Sequence, residues 1–173
     1  MSAAAQRAAL AAIGSDLVAV SGGSGERRAT ALLRRVGGRS DGAATFDDLR
    51  DVPDWLRFPA PKQRRLAMRV ALLWMGDALL TSIDGTWLGR LAEVAGEDIL
   101  DWAIDTAPDL PNLAVEPLAP EELEAHGFAL LRSRLPAPLH AYLAWHAAPS
   151  EVASPDGAVA AFLAAALRAE AAA

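Results

Sequence analysis

The segment from Pro61 to about Ser82 has no internal proline, and apolar side chains occur on almost every side of the helix that it would form. Pro61 suits the first turn of this helix, where its missing N–H costs nothing. A helix that is apolar nearly all round is surrounded either by protein or by lipid. The uninterrupted apolar run from Val70 to Met75 is far shorter than the ~20 residues that cross a membrane. The segment therefore predicts a central core helix.

The remaining chain is punctuated by glycine and proline and has no stretch that alternates apolar and polar residues for long enough to form a strand. The 173 residues suit one domain with one core. We expect an all-α fold, an irregular single-domain bundle of seven to eight helices. Residues 1–42 are expected to form a helical, Gly-linked basic segment, and residues 43–173 the helical core domain.

Three helices are expected after the central region. One follows Pro120 and uses Leu123, Phe128 and three further leucines for its apolar face. A short one follows Pro136, and the last follows Ser154-Pro155. The Ala-rich end of the last helix is expected to fray.

Composition excludes several classes of function. Hydrophobic residues make up 53% of the chain, too much for a mostly disordered protein. With no cysteine, the chain cannot form a disulfide, a Cys-ligated metal centre or a cysteine nucleophile. A net charge of −6 and the short apolar runs predict no nucleic-acid binding, no membrane insertion and a cytoplasmic location. A regulator that uses the basic segments 27–39 and 57–69 on nucleic acid is a weaker alternative.

The charge is divided unevenly along the chain. Residues 1–70 contain 12 Lys/Arg and 7 Asp/Glu, a net +5, whereas residues 71–173 contain 4 and 15, a net −11. Either the two parts neutralise each other or each faces a different partner.

No catalytic or cofactor motif is recognisable. The glycine-rich stretch from Ser21 to Gly25 has Glu26 where a phosphate-binding loop needs lysine, and Arg28 where a dinucleotide fingerprint needs its third glycine. His140 and His146 are six residues apart, so one helix cannot direct both to the same ion. No G-x-S-x-G elbow accompanies a serine. The sequence therefore predicts no cofactor and no metal, and favours a protein without enzymatic activity.

Two sets of residues are candidates for contact with a partner protein. Asp98, Asp101 and Asp105 are spaced three and four apart after Gly96, so they form an acidic stripe on one helix. The stripe is either a solvated face or a docking surface. Trp55 and Phe58 lie in a loop bounded by prolines, where they either anchor the loop on the core or dock a partner.

A carboxylate and histidine set gives an alternative site. Asp77 follows Leu66 by eleven residues, which places it about 20° away in helical projection and thus toward the packed side. A buried carboxylate there is either held by an arginine or a helix N-terminus, or serves as a functional acid. Asp84 is the expected N-cap of the next helix. Together with His140, these two residues would line the pocket of a small helical enzyme or of a small-molecule-binding bundle.

The central region also resembles a known family. A Leu-rich helix (Leu72–Leu80) is followed by Ile83-Asp84-Gly85, then by Leu88 and Leu91, then by Gly96-Glu97 and a second helix. This order resembles the core of the small cytosolic accessory proteins of the type III secretion sorting platform, which bridge the inner-membrane ring to the cytosolic pods. Gly127–Leu131 followed by Pro136 extends the likeness over about residues 66–136. The resemblance implies a non-enzymatic helical adaptor that makes protein–protein contacts.

Overall fold

The computed structural model describes residues 52–143 and 156–172. These residues form α-helices and 3-10 turns and contain no strand, so the all-α fold is confirmed for this part of the chain. The helical, Gly-linked basic segment expected over residues 1–42, and the boundary expected after it, lie outside these ranges. The chain divides into two compact units, which comprise residues 52–60 with 135–143, and residues 61–134 with 156–172, among those described.

Six α-helices are present in the described ranges. They are α1 (Ala60–Trp74), α2 (Gly76–Thr81), α3 (Gly85–Ala95), α4 (Glu97–Thr106), α5 (Leu123–Ser133) and α6 (Asp156–Ala172). Short 3-10 turns occupy Asp54–Arg57, Ala107–Asp109, Pro120–Glu122 and Ala137–Tyr142. None of these helices is long and apolar enough to pass through a lipid bilayer.

Helix α1 is the central helix of the larger unit. Every residue from Leu66 to Leu73 is buried, on all sides of the helix, as the apolar pattern predicts. The expected single helix to Ser82 is wrong in one respect, because it breaks at Met75 (φ −101°, ψ 28°). The break lies beside Gly76, where an added Cβ would lie 3.0 Å from the methyl carbon of Ala107. The glycine lets α2 approach the end of α4 closely.

Helices α3 and α4 are joined by one residue, Gly96, and contact each other, so we call them the α3–α4 hairpin. The side chain of Asp84 accepts hydrogen bonds from the backbone N–H groups of Thr86 and Trp87, which confirms it as the N-cap of α3. Gly96 ends the helix at φ 99°, a conformation that residues with a Cβ rarely adopt, and its N–H donates to the Ala92 carbonyl.

Helix α5 crosses α1 with backbone against backbone. At Gly127, an added Cβ would overlap the carbonyl group of Ala67. The apolar residues expected for this helix and the residues after it are all buried, namely Leu123, Phe128, Leu130, Leu131 and Leu135. This close contact fixes the position of α5 relative to α1.

Helix α6 extends through the alanine-rich stretch to Ala172, so the expectation of a frayed end is wrong. It buries Val159 and Phe162, and also Glu170 in its last turn, which is 4% exposed. An ion-paired carboxylate holds this end in place, as described below.

Candidate functional site

The three aspartates of α4 form one exposed face. Asp98, Asp101 and Asp105 are all exposed, and the buried residues of the helix, Ile99, Leu100 and Ala103, lie on its other side. The acidic stripe expected from the spacing is therefore present on the surface of the larger unit. We call these three residues the acidic face.

The acidic face is not neutralised by cations in the described part of the chain, since none of its three carboxylates belongs to an ion pair there. Between Val70 and Leu131 the sequence has twelve acidic residues and one basic residue, Arg90. Arg90 forms an ion pair with Glu121 on the Pro120–Glu122 turn. The stretch of sequence that contains the acidic face thus carries a strong excess of negative charge.

The basic residues of α1 form ion pairs with carboxylates outside the acidic face. Lys62, Arg65 and Arg69 all lie within ion-pair distance of Glu170, and Arg64 Nη2 lies 2.7 Å from Glu124 Oε2. These pairs join the basic early part of the sequence to its acidic later part. The uneven charge distribution is therefore partly neutralised inside the larger unit. The carboxylates of the acidic face take no part in these ion pairs.

The acidic face suits cationic side chains better than a metal ion. In residues 52–143 and 156–172, no group of three His, Cys, Asp or Glu side chains is arranged to hold a metal. Carboxylates on successive turns of one helix present their charge to solvent, and exposed Lys or Arg side chains of another molecule can approach them directly.

The second candidate set for partner contact lies in the smaller unit. The expected loop contains a 3-10 turn over Asp54–Arg57, in which the ring of Trp55 is only 3% exposed. Phe58 is half-buried. Trp55 thus anchors its segment in a packed interior, and its ring is not available on the surface for a partner.

The residues of the alternative pocket each have a local partner. Asp77 is half-buried and its carboxylate accepts a hydrogen bond of 2.9 Å from Asn112 Nδ2, not from an arginine or a helix N-terminus. The projection from Leu66 predicts a buried position, whereas the residue is half-buried and α1 ends between Leu66 and Asp77. Asp84 caps α3. His140 belongs to the smaller unit, where its Nε2 lies 2.9 Å from the carbonyl oxygen of Leu135 in the same unit.

A histidine that the sequence analysis did not single out is placed between α1 and α5. The rings of His126 and Trp74 are in contact, with centroids 4.1 Å apart and an interplanar angle of 49°. His126 Nε2 and Trp74 Nε1 are both buried, and neither has a hydrogen-bond partner among the described residues. Burial lowers the pKa of His126 below its usual value of 6.5, and the carboxylate of Glu122 opposes this effect.

A buried ionic cluster around Glu170 is a second feature that was not predicted from the sequence. The carboxylate is about 1% exposed and lies 2.8 Å from Arg69 Nη1. Arg69 in turn stacks on Trp102, with its guanidinium carbon 5.0 Å from the ring centroid. Lys62 also donates to the Glu170 carbonyl, so α1 holds both the side chain and the backbone at this end of α6. The single glutamate in an alanine-rich helix was the one available signal.

Compared with protein-family models, with curated proteins and with solved structures, the chain matches none of them.

Proposed function

We propose that the protein is a non-enzymatic helical adaptor whose acidic face, Asp98, Asp101 and Asp105, docks a basic segment of a partner protein. The observation that carries this proposal is the contrast between charges. The basic residues of α1, together with Arg90, pair with carboxylates of the chain itself, whereas the acidic face has no ion-pair partner among residues 52–143 and 156–172. An unpaired row of like charges lowers the stability of its own helix by a small amount and attracts an oppositely charged surface.

Exposed aliphatic side chains near the α2–α3 connection provide an apolar component for such a contact. Ile83 is fully exposed and Leu80 is 46% exposed, with Asp84 directly after Ile83 in the chain. Interfaces combine apolar anchors with polar rims, and charged rims mainly determine specificity and association rate. A basic segment with aliphatic residues therefore suits this part of the larger unit.

The resemblance to the sorting-platform accessory proteins directs the choice of partner. We propose that the contact belongs to an assembly of this kind, in which an adaptor joins two larger components. The expected partner is then a protein with a Lys/Arg-rich helical or extended segment, and not a nucleic acid or a membrane.

Site-specific crosslinking tests the proposal. A photoreactive amino acid is placed at position 101, and a control is placed at the exposed position 164 of α6. We expect position 101 to give a defined protein adduct in the native cytosol that position 164 does not give. Equal labelling from both positions, or no adduct from position 101, would contradict the proposal.

The captured partner is then purified and its affinity measured by calorimetry. We expect the triple change of Asp98, Asp101 and Asp105 to Asn to weaken binding about tenfold, because three exposed ion pairs at roughly 0.5 kcal/mol each contribute about 1.5 kcal/mol of binding free energy. Added salt is expected to reduce the difference between the two proteins. A control with the same change in net charge (Asp54→Asn, Glu93→Gln and Glu116→Gln) is expected to retain affinity.

A further inference from the structure

We infer that His126 and Trp74 form an acid-released contact, in which protonation of the imidazole expels the ring from the α1–α5 interface and loosens the crossing of these helices. This inference concerns regulation and is independent of the adaptor function proposed above. It rests on the positions of two ring nitrogens, on the place of the pair in the fold and on the charges around it.

The two buried ring nitrogens at this contact, His126 Nε2 and Trp74 Nε1, have no hydrogen-bond partner in the described part of the chain. In a neutral imidazole one nitrogen carries a proton and the other a lone pair, whereas both carry protons in the charged form. Nε2 of His126 is buried without a partner, and the neighbouring buried group, the indole N–H of Trp74, is itself a donor without a partner. A protonated Nε2 would therefore be an unpaired, charged donor, which costs more free energy than an unpaired neutral group.

The pair lies where two helices depend on each other. Trp74 is the last residue of α1, directly before the break at Met75. His126 precedes Gly127, at which α5 touches the backbone of α1. If the imidazole of His126 leaves this position, its contact with Trp74 is lost next to the place where α5 touches the backbone of α1. Protonation of one side chain thereby changes the packing of α5 against α1.

The charged groups of the surrounding elements do not neutralise the imidazolium. Glu122, exposed and one turn earlier, favours the charged form but acts more weakly than burial. Glu124 is paired with Arg64, and the other basic residues of α1 are paired with Glu170. Asp77 on α2 accepts a hydrogen bond from Asn112. Among the described residues, the remaining interactions that favour the imidazolium are the attraction of Glu122 and contact with the indole ring.

The first measurement is the titration of His126 in the wild-type protein, followed by the NMR signal of its imidazole carbon-bound protons between pH 8 and pH 5. We expect a midpoint below 6.5, together with a change in the Trp74 indole N–H signal at the same midpoint. A midpoint at or above 6.5 would mean that attraction to the indole exceeds the cost of burial, and it would overturn the inference.

The second measurement is hydrogen exchange of the segments 64–75 and 123–133. After correction for the intrinsic pH dependence of exchange, we expect the wild type to lose protection below pH 6.5, at most about tenfold per pH unit for one proton. His126→Phe keeps a ring without a titrating group and is expected to remain protected, and His126→Gln is a second variant in case the first does not fold. Equal loss of protection in the wild type and in either folded variant would overturn the inference.

Discussion

The carbonyl group of Ala67 on α1 occupies the space into which any side chain at position 127 of α5 would project. Helix backbones rarely approach this closely, and only glycine allows it here. The contact lies inside the most buried part of the larger unit, beside Leu66 and Met68, so neither helix can move away without opening the core.

Replacing Gly127 with Ala is therefore expected to lower the free energy of unfolding by about 3 kcal/mol, the upper part of the range for overpacking a core. Gly89 on α3 is a matched control, because it is exposed and has nothing within 4 Å of an added Cβ. Gly89→Ala is expected to raise the free energy of unfolding by about 0.5–1 kcal/mol through helix propensity. Urea denaturation measures both, and similar values for the two variants would contradict the close approach.

Loss of the Glu170 carboxylate is expected to be costly because it leaves Arg69 buried without its anion. Removal of one partner of a buried pair costs about 3–5 kcal/mol, so Glu170→Ala should destabilise the protein by this amount. Glu121→Ala removes a carboxylate from the exposed pair with Arg90 and should cost less than about 1 kcal/mol. Thermal and urea denaturation of the two variants provide the comparison.

A paired replacement separates the charge from the packing. Arg69→Met combined with Glu170→Leu removes both charges and keeps apolar volume, and we expect it to recover most of the stability that Glu170→Ala loses. A double variant as unstable as Glu170→Ala would show that the cluster stabilises α6 through its hydrogen bonds rather than by avoiding an unpaired charge.

Asp84 is expected to contribute to stability through its two hydrogen bonds to the start of α3. Asp84→Ala should lower the free energy of unfolding by about 1 kcal/mol, whereas Asp84→Asn, which keeps the accepting oxygen, should be nearly neutral. Urea denaturation distinguishes the two. An equal effect of both substitutions would indicate that the charge, and not the cap, is what the helix needs.

Global stability is expected to depend on the protonation of His126. Its pKa is lower in the folded protein than the 6.5 of the unfolded chain, so the unfolded state binds the proton more readily. The stability that comes from the neutral ring is complete above pH 6.5 and is lost as the pH falls toward the folded pKa, at no more than about 1.4 kcal/mol per pH unit. Urea midpoints between pH 7.5 and pH 5.5 should fall less in His126→Gln than in the wild type.

The sequence was informative where a structural feature depends on neighbouring residues. The burial of α1, the cap at Asp84 and the turn at Gly96 all follow from apolar spacing or from the needs of a helix end. The exposed acidic face follows from helical periodicity in the same way.

The features that the sequence did not predict depend on residues far apart in the chain. The break at Met75 lies next to the close approach of Gly76 to Ala107. Glu170 is buried only because cations of α1 lie opposite it, 101 or more residues earlier. Helical periodicity contains no information on such pairings, so neither the break nor the ionic cluster could be derived from it.

The distance along the chain between Arg69 and Glu170 has a consequence for the order of folding. Helices α3 and α4 are joined through Gly96 alone, so their hairpin can form from local contacts with little loss of loop entropy. The pairing of α1 with α6 closes a loop of 101 residues and requires two charged groups to lose water together. We therefore expect the hairpin to assemble early and the docking of α6 to be a late step, since folding slows as contacts become less local.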